Sequence, residues 1–191
     1  MFIELGVSAR HVHVSQEDLE TLFGPGYELT KFKDLKQTGQ YAANEKVQVE
    51  WPKGSFQAVR ILCPVRKASQ VEVSATDCLK LGVNAMLRDS GKLEGTPGVI
   101  LTGPAGKVVL NQGVIVAARH VHLCPETAQR EQIQDGDYLC AHIPGEREIT
   151  FGKVLARVDA SYVDEFHLDT DEANAAMVSS CAMVELSRCQ K

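Results

Sequence analysis

The sequence has no CxxC pair, no long apolar run and no massed basic residues, and each absence excludes a class of protein. Six scattered cysteines in a chain too large to depend on disulfide staples are expected to be reduced thiols. The apolar run around residues 114–118 is far shorter than the ~20 residues of a membrane span. A net charge of −5 with dispersed cations disfavours nucleic acid as a partner.

The composition that remains is that of a globular protein with 44% hydrophobic residues, enough for a sizeable core. No basic start followed by an apolar stretch indicates a signal peptide. We therefore expect a soluble, cytoplasmic protein with no membrane partner. Because the overall charge is negative, an anionic substrate would have to be bound by local cations.

Four of the six histidines lie in two copies of one phrase, "ARHVH", at residues 9–13 and 118–122. Each copy is followed by a helix start, with Ser15 in the cap position of the first and Cys124, before Pro125, in that of the second. Further along, an ungapped overlay of "VRILCPVRKASQVEVSATD" on "VLARVDASYVDEFHLDTDE" places Glu72 opposite His167. The chain is predicted to be internally duplicated.

Short β-branched runs separated by turns, at intervals of roughly ten residues, dominate the rest of the sequence. Helical patterns are confined to residues 16–23, 77–81, 126–132 and 171–177. We predict a mainly β fold of two small β-barrel domains with short capping α-helices.

An HxH pattern on a strand places both imidazoles on one face, where they can bind one metal ion. A single HxH is more often accidental, but two copies in a chain poor in histidine favour a metal site, with zinc as the first candidate. His167 adds a fifth imidazole, with Asp169 as a possible outer partner, and Glu72 adds a carboxylate. Six such ligands suit two ions, at least one with open positions, which favours an enzyme.

The remaining polar residues of interest are cations and one histidine. Arg10 and Arg119 precede the histidine pairs at odd spacing, so they can serve packing or ion pairs instead of the site. Arg66 lies six residues before Glu72, and a guanidinium beside a metal ion suits phosphate. His142, in "AHIPGE", is expected to be a surface histidine in a turn.

Several motifs, in this order, resemble the PduL-type phosphate propanoyltransferases of bacterial propanediol degradation. They are "GVSARHVHVSQEDLETLFG", "PVRKASQVEVSATD", "RDSG", "GVIVAARHVH" and "HLDTDEANAA", and the resemblance spans residues 6–176. It implies a transferase that moves a short acyl group, propanoyl or acetyl, reversibly between coenzyme A and inorganic phosphate, giving acyl phosphate. It also implies two zinc ions per chain.

The resemblance further implies a role for individual residues. Arg66 would bind phosphate as the catalytic cation, and Lys67 and Arg88 are candidates for contact with coenzyme A. His11 and His13 would hold one zinc ion. The ligands of the other would be Glu72, His120, His122 and His167.

The resemblance also implies two domains with the active site at their interface: a discontinuous one formed by residues 1–9 and 118–191, and a continuous one formed by residues 10–117. Family members bound for a bacterial microcompartment carry an N-terminal extension before the first motif, which is not seen here, so either a freely cytoplasmic member or a chain trimmed at its N-terminus is expected. Microcompartment association stays possible, and a homodimer is expected.

Three alternatives remain open at this point. The acyl group could pass through Cys63 or Cys124 instead of going directly to phosphate. The protein could be a dizinc hydrolase of thioesters or amides, in which water replaces phosphate. It could also be a scaffold whose zinc ions are fully enclosed by protein ligands.

Overall fold

Fifteen strands and four short helices form the described part of the chain, residues 1–189, in the computed structural model. Strands account for 46% of the chain and helices for 15%. The prediction of a mainly β fold with short helices is confirmed. Within residues 1–189 no helix is long and apolar enough to cross a lipid bilayer.

The strands and helices are short and alternate along the whole chain. The strands are β1 (Phe2–Ser8), β2 (His11–His13), β3 (Lys31–Asp34), β4 (Tyr41–Trp51), β5 (Gly54–Cys63), β6 (Gln70–Glu72), β7 (Met86–Arg88), β8 (Val99–Thr102), β9 (Lys107–Leu110), β10 (Val114–Ala117), β11 (His120–Leu123), β12 (Tyr138–Ile143), β13 (Ile149–Val158), β14 (Glu165–Asp169) and β15 (Met183–Arg188). The helices are α1 (Gln16–Phe23), α2 (Ala75–Leu81), α3 (Pro125–Arg130) and α4 (Thr170–Ala176).

The first of two units, unit 1, comprises Met1–Ala9, Lys36–Thr38 and Ala118–Lys191. Its strands form a closed barrel in the order β1-β14-β11-β13-β12-β15. Alternate residues of each strand point inward, and Leu5, Val121 and Phe166 are among those fully buried in its core.

Unit 2 comprises Arg10–Leu35 and Gly39–Ala117. Its sheet runs in the order β7-β10-β6-β2-β5-β4-β8-β9, with β3 added on β4, over a core that includes Val12, Ile61 and Val71. Here β2 is parallel to β5 and antiparallel to β6, as β11 in unit 1 is parallel to β13 and antiparallel to β14. The two histidine phrases therefore occupy equivalent strands, in agreement with the predicted duplication.

The helix starts repeat between the units as well. Ser15 is the N-cap of α1 and accepts a hydrogen bond from Asp18 N, while Cys124 is the N-cap of α3 without a side-chain cap bond. Ser74 and Asp169, aligned by the sequence overlay, are the N-caps of α2 and α4, and each forms a capping box. The overlay thus marks the same turn in both halves.

In each unit the arginine of the "ARHVH" phrase pairs with the acidic residue of that capping box and covers an aromatic ring. The ion pairs are Arg10–Asp77 and Arg119–Glu172, both at 2.6 Å, and the rings are Phe56 and Phe151. Both guanidinium groups are therefore engaged in packing and ion pairs, the first of the two roles that the sequence left open.

The expectation that all cysteines are reduced is wrong, because Cys140 and Cys189 form a disulfide with a Cα–Cα distance of 5.0 Å. Strands β12 and β15 pair with Cys140 opposite Ser187, which brings the residue after β15 alongside β12. The cysteines are 49 residues apart in sequence, and only strand pairing reveals their proximity.

Replacing Cys189 with serine is expected to lower the free energy of unfolding by about 2–4 kcal/mol, since the crosslink closes a long loop in the unfolded chain. Urea unfolding without reductant measures the loss, and reduced wild-type protein should match the variant. Cys181→Ser, at an exposed free cysteine, is the control, with a change below about 0.5 kcal/mol. Identical unfolding curves for wild type and Cys189→Ser without reductant would contradict the crosslink.

Candidate active site

The two histidine pairs lie on the short strands β2 and β11, and within each pair the two rings are neighbours on one face of the strand. The ring centroids are 4.9 Å apart for His11 and His13 and 4.8 Å apart for His120 and His122. The intervening valines are fully buried in the two cores. The predicted strand geometry of HxH is confirmed.

Each pair gains a third polar residue from the adjacent antiparallel strand. In unit 2, His11 is paired with Glu72, and in unit 1, His120 is paired with His167. Directly paired residues project to the same face with Cβ atoms about 5 Å apart. Glu72 and His167 therefore hold equivalent positions, as the ungapped sequence overlay indicated.

The first cluster consists of His11, His13 and Glu72, whose ligand atoms all lie within 4.8 Å of one another. Glu72 Oε2 is 3.5 Å from His11 Nε2, and Glu72 Oε1 is 3.8 Å from His13 Nε2. His13 Nδ1 lies 3.2 Å from the Leu62 carbonyl oxygen, which orients the ring with Nε2 toward the cluster. Ligand atoms bound tetrahedrally to one zinc ion at ~2.0–2.2 Å are about 3.4 Å apart, so this spacing fits an ion.

The implied grouping of Glu72 with the three histidines of unit 1 is wrong. Strand β6 pairs with β2 in unit 2, and this register places the Glu72 carboxylate beside His11 and His13. The overlay of the two halves contained this information, because it aligned Glu72 with His167 as counterparts.

The second cluster consists of His120, His122 and His167, whose ligand atoms also lie within 4.8 Å of one another. His120 Nδ1 is 2.9 Å from the Ala118 carbonyl oxygen. His122 Nδ1 and His167 Nε2 are buried without a hydrogen-bond partner. Buried ring nitrogens without a partner are costly, so convergent ones fit a bound metal ion.

Burial favours the neutral form, which binds metals, for three of these imidazoles. It is the main reason why the pKa of His13 and that of His122 fall to about 3, and why the pKa of His120 falls well below its ordinary value. For Glu72, burial alone would raise the pKa, but the nearby His11 and His13 outweigh it and the pKa is lowered. Neutral imidazoles and an ionised carboxylate are the forms that bind a divalent cation.

Arg66 is connected to the first cluster through one serine. Its backbone N donates to the Val14 carbonyl oxygen at 2.8 Å, just beyond β2. Its guanidinium Nη1 donates to Ser90 Oγ at 2.8 Å, and Ser90 Oγ donates to Glu72 Oε1 at 2.9 Å. A cation suited to phosphate thus lies beside three groups suited to a metal.

Sequence reasoning missed Ser90 and Gln70 as parts of this site. Gln70 Nε2 donates to Glu72 Oε1 at 2.5 Å and to Ser90 Oγ at 2.9 Å, and its Oε1 accepts from Gly91 N at 2.8 Å. The "RDSG" stretch therefore holds the carboxylate of the first cluster. The spacing of two residues between Gln70 and Glu72 on one strand could have identified Gln70, because it places both side chains on the same face.

The other predicted site residues lie elsewhere. Lys67 is exposed, and Arg88 donates to the Leu87 carbonyl oxygen and to Met86 Sδ, both at 3.1 Å. The role of these two residues in binding coenzyme A stays a prediction. His142 lies on β12, where its Nδ1 is 3.3 Å from Thr150 Oγ1, and not in the expected turn. The Asp169 carboxylate accepts from Glu172 N at 2.8 Å as the cap of α4, and its role as an outer partner of His167 stays a prediction.

Comparison with known proteins gives concordant results. A family model described as phosphate propanoyltransferase matches residues 4–179. The phosphate propanoyltransferase of Thermotoga maritima is 52% identical over 183 residues, which cover 95% of this chain and 87% of that protein. Proteins of the same name from Lachnoclostridium phytofermentans and Clostridioides difficile are 49% and 44% identical, over 96% and 97% of this chain and 86% and 88% of their own.

Proposed function

Because this chain belongs to the phosphate propanoyltransferase family, we propose that it transfers a short acyl group, propanoyl or acetyl, between coenzyme A and inorganic phosphate. A phosphate oxygen attacks the thioester carbonyl carbon, so that a C–O bond forms and the C–S bond breaks. The sulfur leaves with the electron pair and takes a proton, giving acyl phosphate and free coenzyme A. The observation that carries the proposal is the Arg66 guanidinium linked through Ser90 to a cluster of metal-binding groups.

Two zinc ions per chain are part of the proposal, one held by the first cluster and one by the second. When bound, such ions supply Lewis acidity, which polarises a carbonyl or phosphoryl oxygen and stabilises a developing thiolate. Each cluster offers three protein ligands, the number typical of catalytic zinc, whereas an enclosed structural ion has four. The ligand count therefore supports an enzyme over a zinc-stabilised scaffold.

Arg66 is proposed to bind the attacking phosphate. The parallel N–H groups of a guanidinium match two phosphate oxygens, and its permanent charge offsets that of the anion. The bond to Ser90 limits the rotation of the side chain, so that less conformational entropy is lost on binding. Ser90 also donates to Glu72, and it thereby holds the guanidinium group of Arg66 close to the first cluster.

Direct attack by phosphate is favoured over an acyl-cysteine intermediate. Cys63 is buried on β5, and burial raises the pKa of its thiol, which lowers the fraction of reactive thiolate. Cys124 occupies the N-cap position of α3, with its Sγ 3.5 Å from Thr127 Oγ1. Neither sulfur belongs to a cluster of metal-binding groups among the described residues.

Release of free thiol from acetyl-CoA and propanoyl-CoA tests the proposed reaction. Release is expected to require inorganic phosphate, to stop after chelation and to return when zinc is added back, because the proposed site brings two anions together through cations. Acyl phosphate should form in equal amount. Thiol release at the same rate without phosphate would contradict the proposal and indicate a thioester hydrolase.

A further inference from the structure

A second carboxylate, that of Glu165, lies beside the second cluster. Glu165 precedes His167 by two residues on β14, and β14 pairs with β11 so that Glu165 is opposite His122. The residue is 9% exposed. A carboxylate this deeply buried is costly unless a positive charge or several donors compensate it.

Glu165 Oε2 is 3.1 Å from His167 Nε2, yet this nitrogen makes no hydrogen bond. The two atoms are close, but the ring nitrogen is not directed at the oxygen as a hydrogen bond requires. Its lone pair is therefore available to an ion, with the carboxylate beside it. This separation is near the ~3.4 Å between neighbouring ligand atoms around one zinc ion.

Gln37 holds the carboxylate in place. The residue is only 4% exposed, and its Nε2 donates to Glu165 Oε2 at 3.0 Å and to the Val163 carbonyl oxygen at 2.8 Å. Its Oε1 accepts from Val163 N at 3.1 Å. The amide is thus anchored at both ends, and it belongs to Lys36–Thr38, the short segment that contributes to unit 1.

Space for Glu165 is provided by Gly6, which pairs with His167 in the β1–β14 register. A Cβ atom at this position would lie 2.6 Å from Glu165 Oε1 and 3.1 Å from its carboxyl carbon. Such contacts are too short to persist, so a side chain at position 6 would displace the carboxylate. A glycine and a buried glutamine therefore constrain the same group.

The first cluster has the same balance of charge in a different order. There the carboxylate is Glu72 and the residue two places before it is the neutral Gln70, whereas in the second cluster the equivalents are His167 and Glu165. One carboxylate therefore accompanies each cluster. Glu72 is a member of the first cluster, whereas Glu165 lies beside the second. Two ions of the same charge are expected to need similar compensation, and one carboxylate near each cluster provides it.

We propose that Glu165 supports the second cluster by its negative charge, which is held in place by Gln37, accommodated by Gly6 and stabilises the metal ion bound there. The inference rests on the proposed function, because it requires that the second cluster binds an ion. It assigns roles to two residues, Gln37 and Gly6, that lie far in sequence from the histidines of the second cluster.

The test is zinc affinity, measured by competition with a chromophoric chelator on the full chain. Glu165→Gln keeps the shape of the side chain and removes its charge. It is expected to lower the affinity for one of the two zinc ions by about 10–100-fold and to leave the affinity for the other unchanged. Gly6→Ala should act in the same direction. Glu165→Asp, which keeps the charge on a shorter side chain, should be intermediate, and Glu148→Gln, at an exposed loop position, is the matched control.

A structural role alone would lower the stability of the metal-free protein without changing the cobalt spectrum. Cobalt-loaded Glu165→Gln is instead expected to show altered visible absorption at one site. Two ions bound with wild-type affinity and spectrum in both Glu165→Gln and Gly6→Ala would overturn this inference and leave the proposed function intact. Wild-type protein that binds no ion would overturn both.

Discussion

His13→Ala is expected to remove one of two bound ions per chain and to lower turnover by about 10²–10³-fold or more. His13 is 4% exposed, and the contact of its Nδ1 with the Leu62 carbonyl oxygen directs Nε2 toward Glu72. Without it the first cluster retains two ligands, too few for a stable zinc site. Elemental analysis of the purified variant and phosphate-dependent thiol release provide the two measurements.

His142→Ala is the matched control, since it removes a histidine that lies outside both clusters. It should retain both ions and wild-type turnover. His122→Ala is expected to lose the other ion, and this distinguishes the two clusters. Because His13 is buried, circular dichroism should first establish that the variant is folded. A folded His13→Ala protein with two ions and normal turnover would refute the assignment of the first cluster.

Arg66→Ala is expected to lower kcat/KM for phosphate by about 10²–10³-fold, the usual consequence of removing a preorganised donor from a charged transition state. The metal content should stay at the wild-type value, because Arg66 is not a member of the first cluster and is linked to Glu72 through Ser90. Arg66→Lys keeps the positive charge but loses the paired N–H groups, so only part of the activity should return. Initial rates at varied phosphate and saturating acyl-CoA give the values.

Arg147→Ala, at an exposed position on the loop between β12 and β13, is the control for the general effect of losing one positive charge. Its kinetics should equal those of the wild type. If Arg66→Ala retained wild-type kcat/KM for phosphate, phosphate would have to be bound by other cations. Lys67, which follows directly in the chain, would then be the next candidate.

Several features of the site could be predicted because they follow from local geometry. A spacing of two on a strand places His11 beside His13, and the duplicated phrase predicts the same for the second pair. The cap residue Ser15 is likewise visible in the sequence, since a cap bonds within three residues of itself.

Other features were wrong or missed because they depend on which strands pair. The grouping of Glu72, the disulfide of Cys140 with Cys189 and the nearness of Ser90 to Arg66 all join residues separated by many positions. No periodic pattern reports such contacts, since periodicity describes only the face of a single element. Asp169 shares a strand face with His167 and was therefore considered as a partner at the metal site. In the structure its carboxylate accepts a hydrogen bond from Glu172 N and caps α4.

The amino-acid sequence by itself determined the mainly β character, the duplication and the shared face of each histidine pair, because these depend on residues within one turn or strand. Only the tertiary structure decided which third group joins each pair, and that a segment as distant as Lys36–Thr38 supplies Gln37 to Glu165. The reason is that strand register and hydrogen-bond direction arise when separated segments pack together, and a one-residue change of register would exchange the groups on every face.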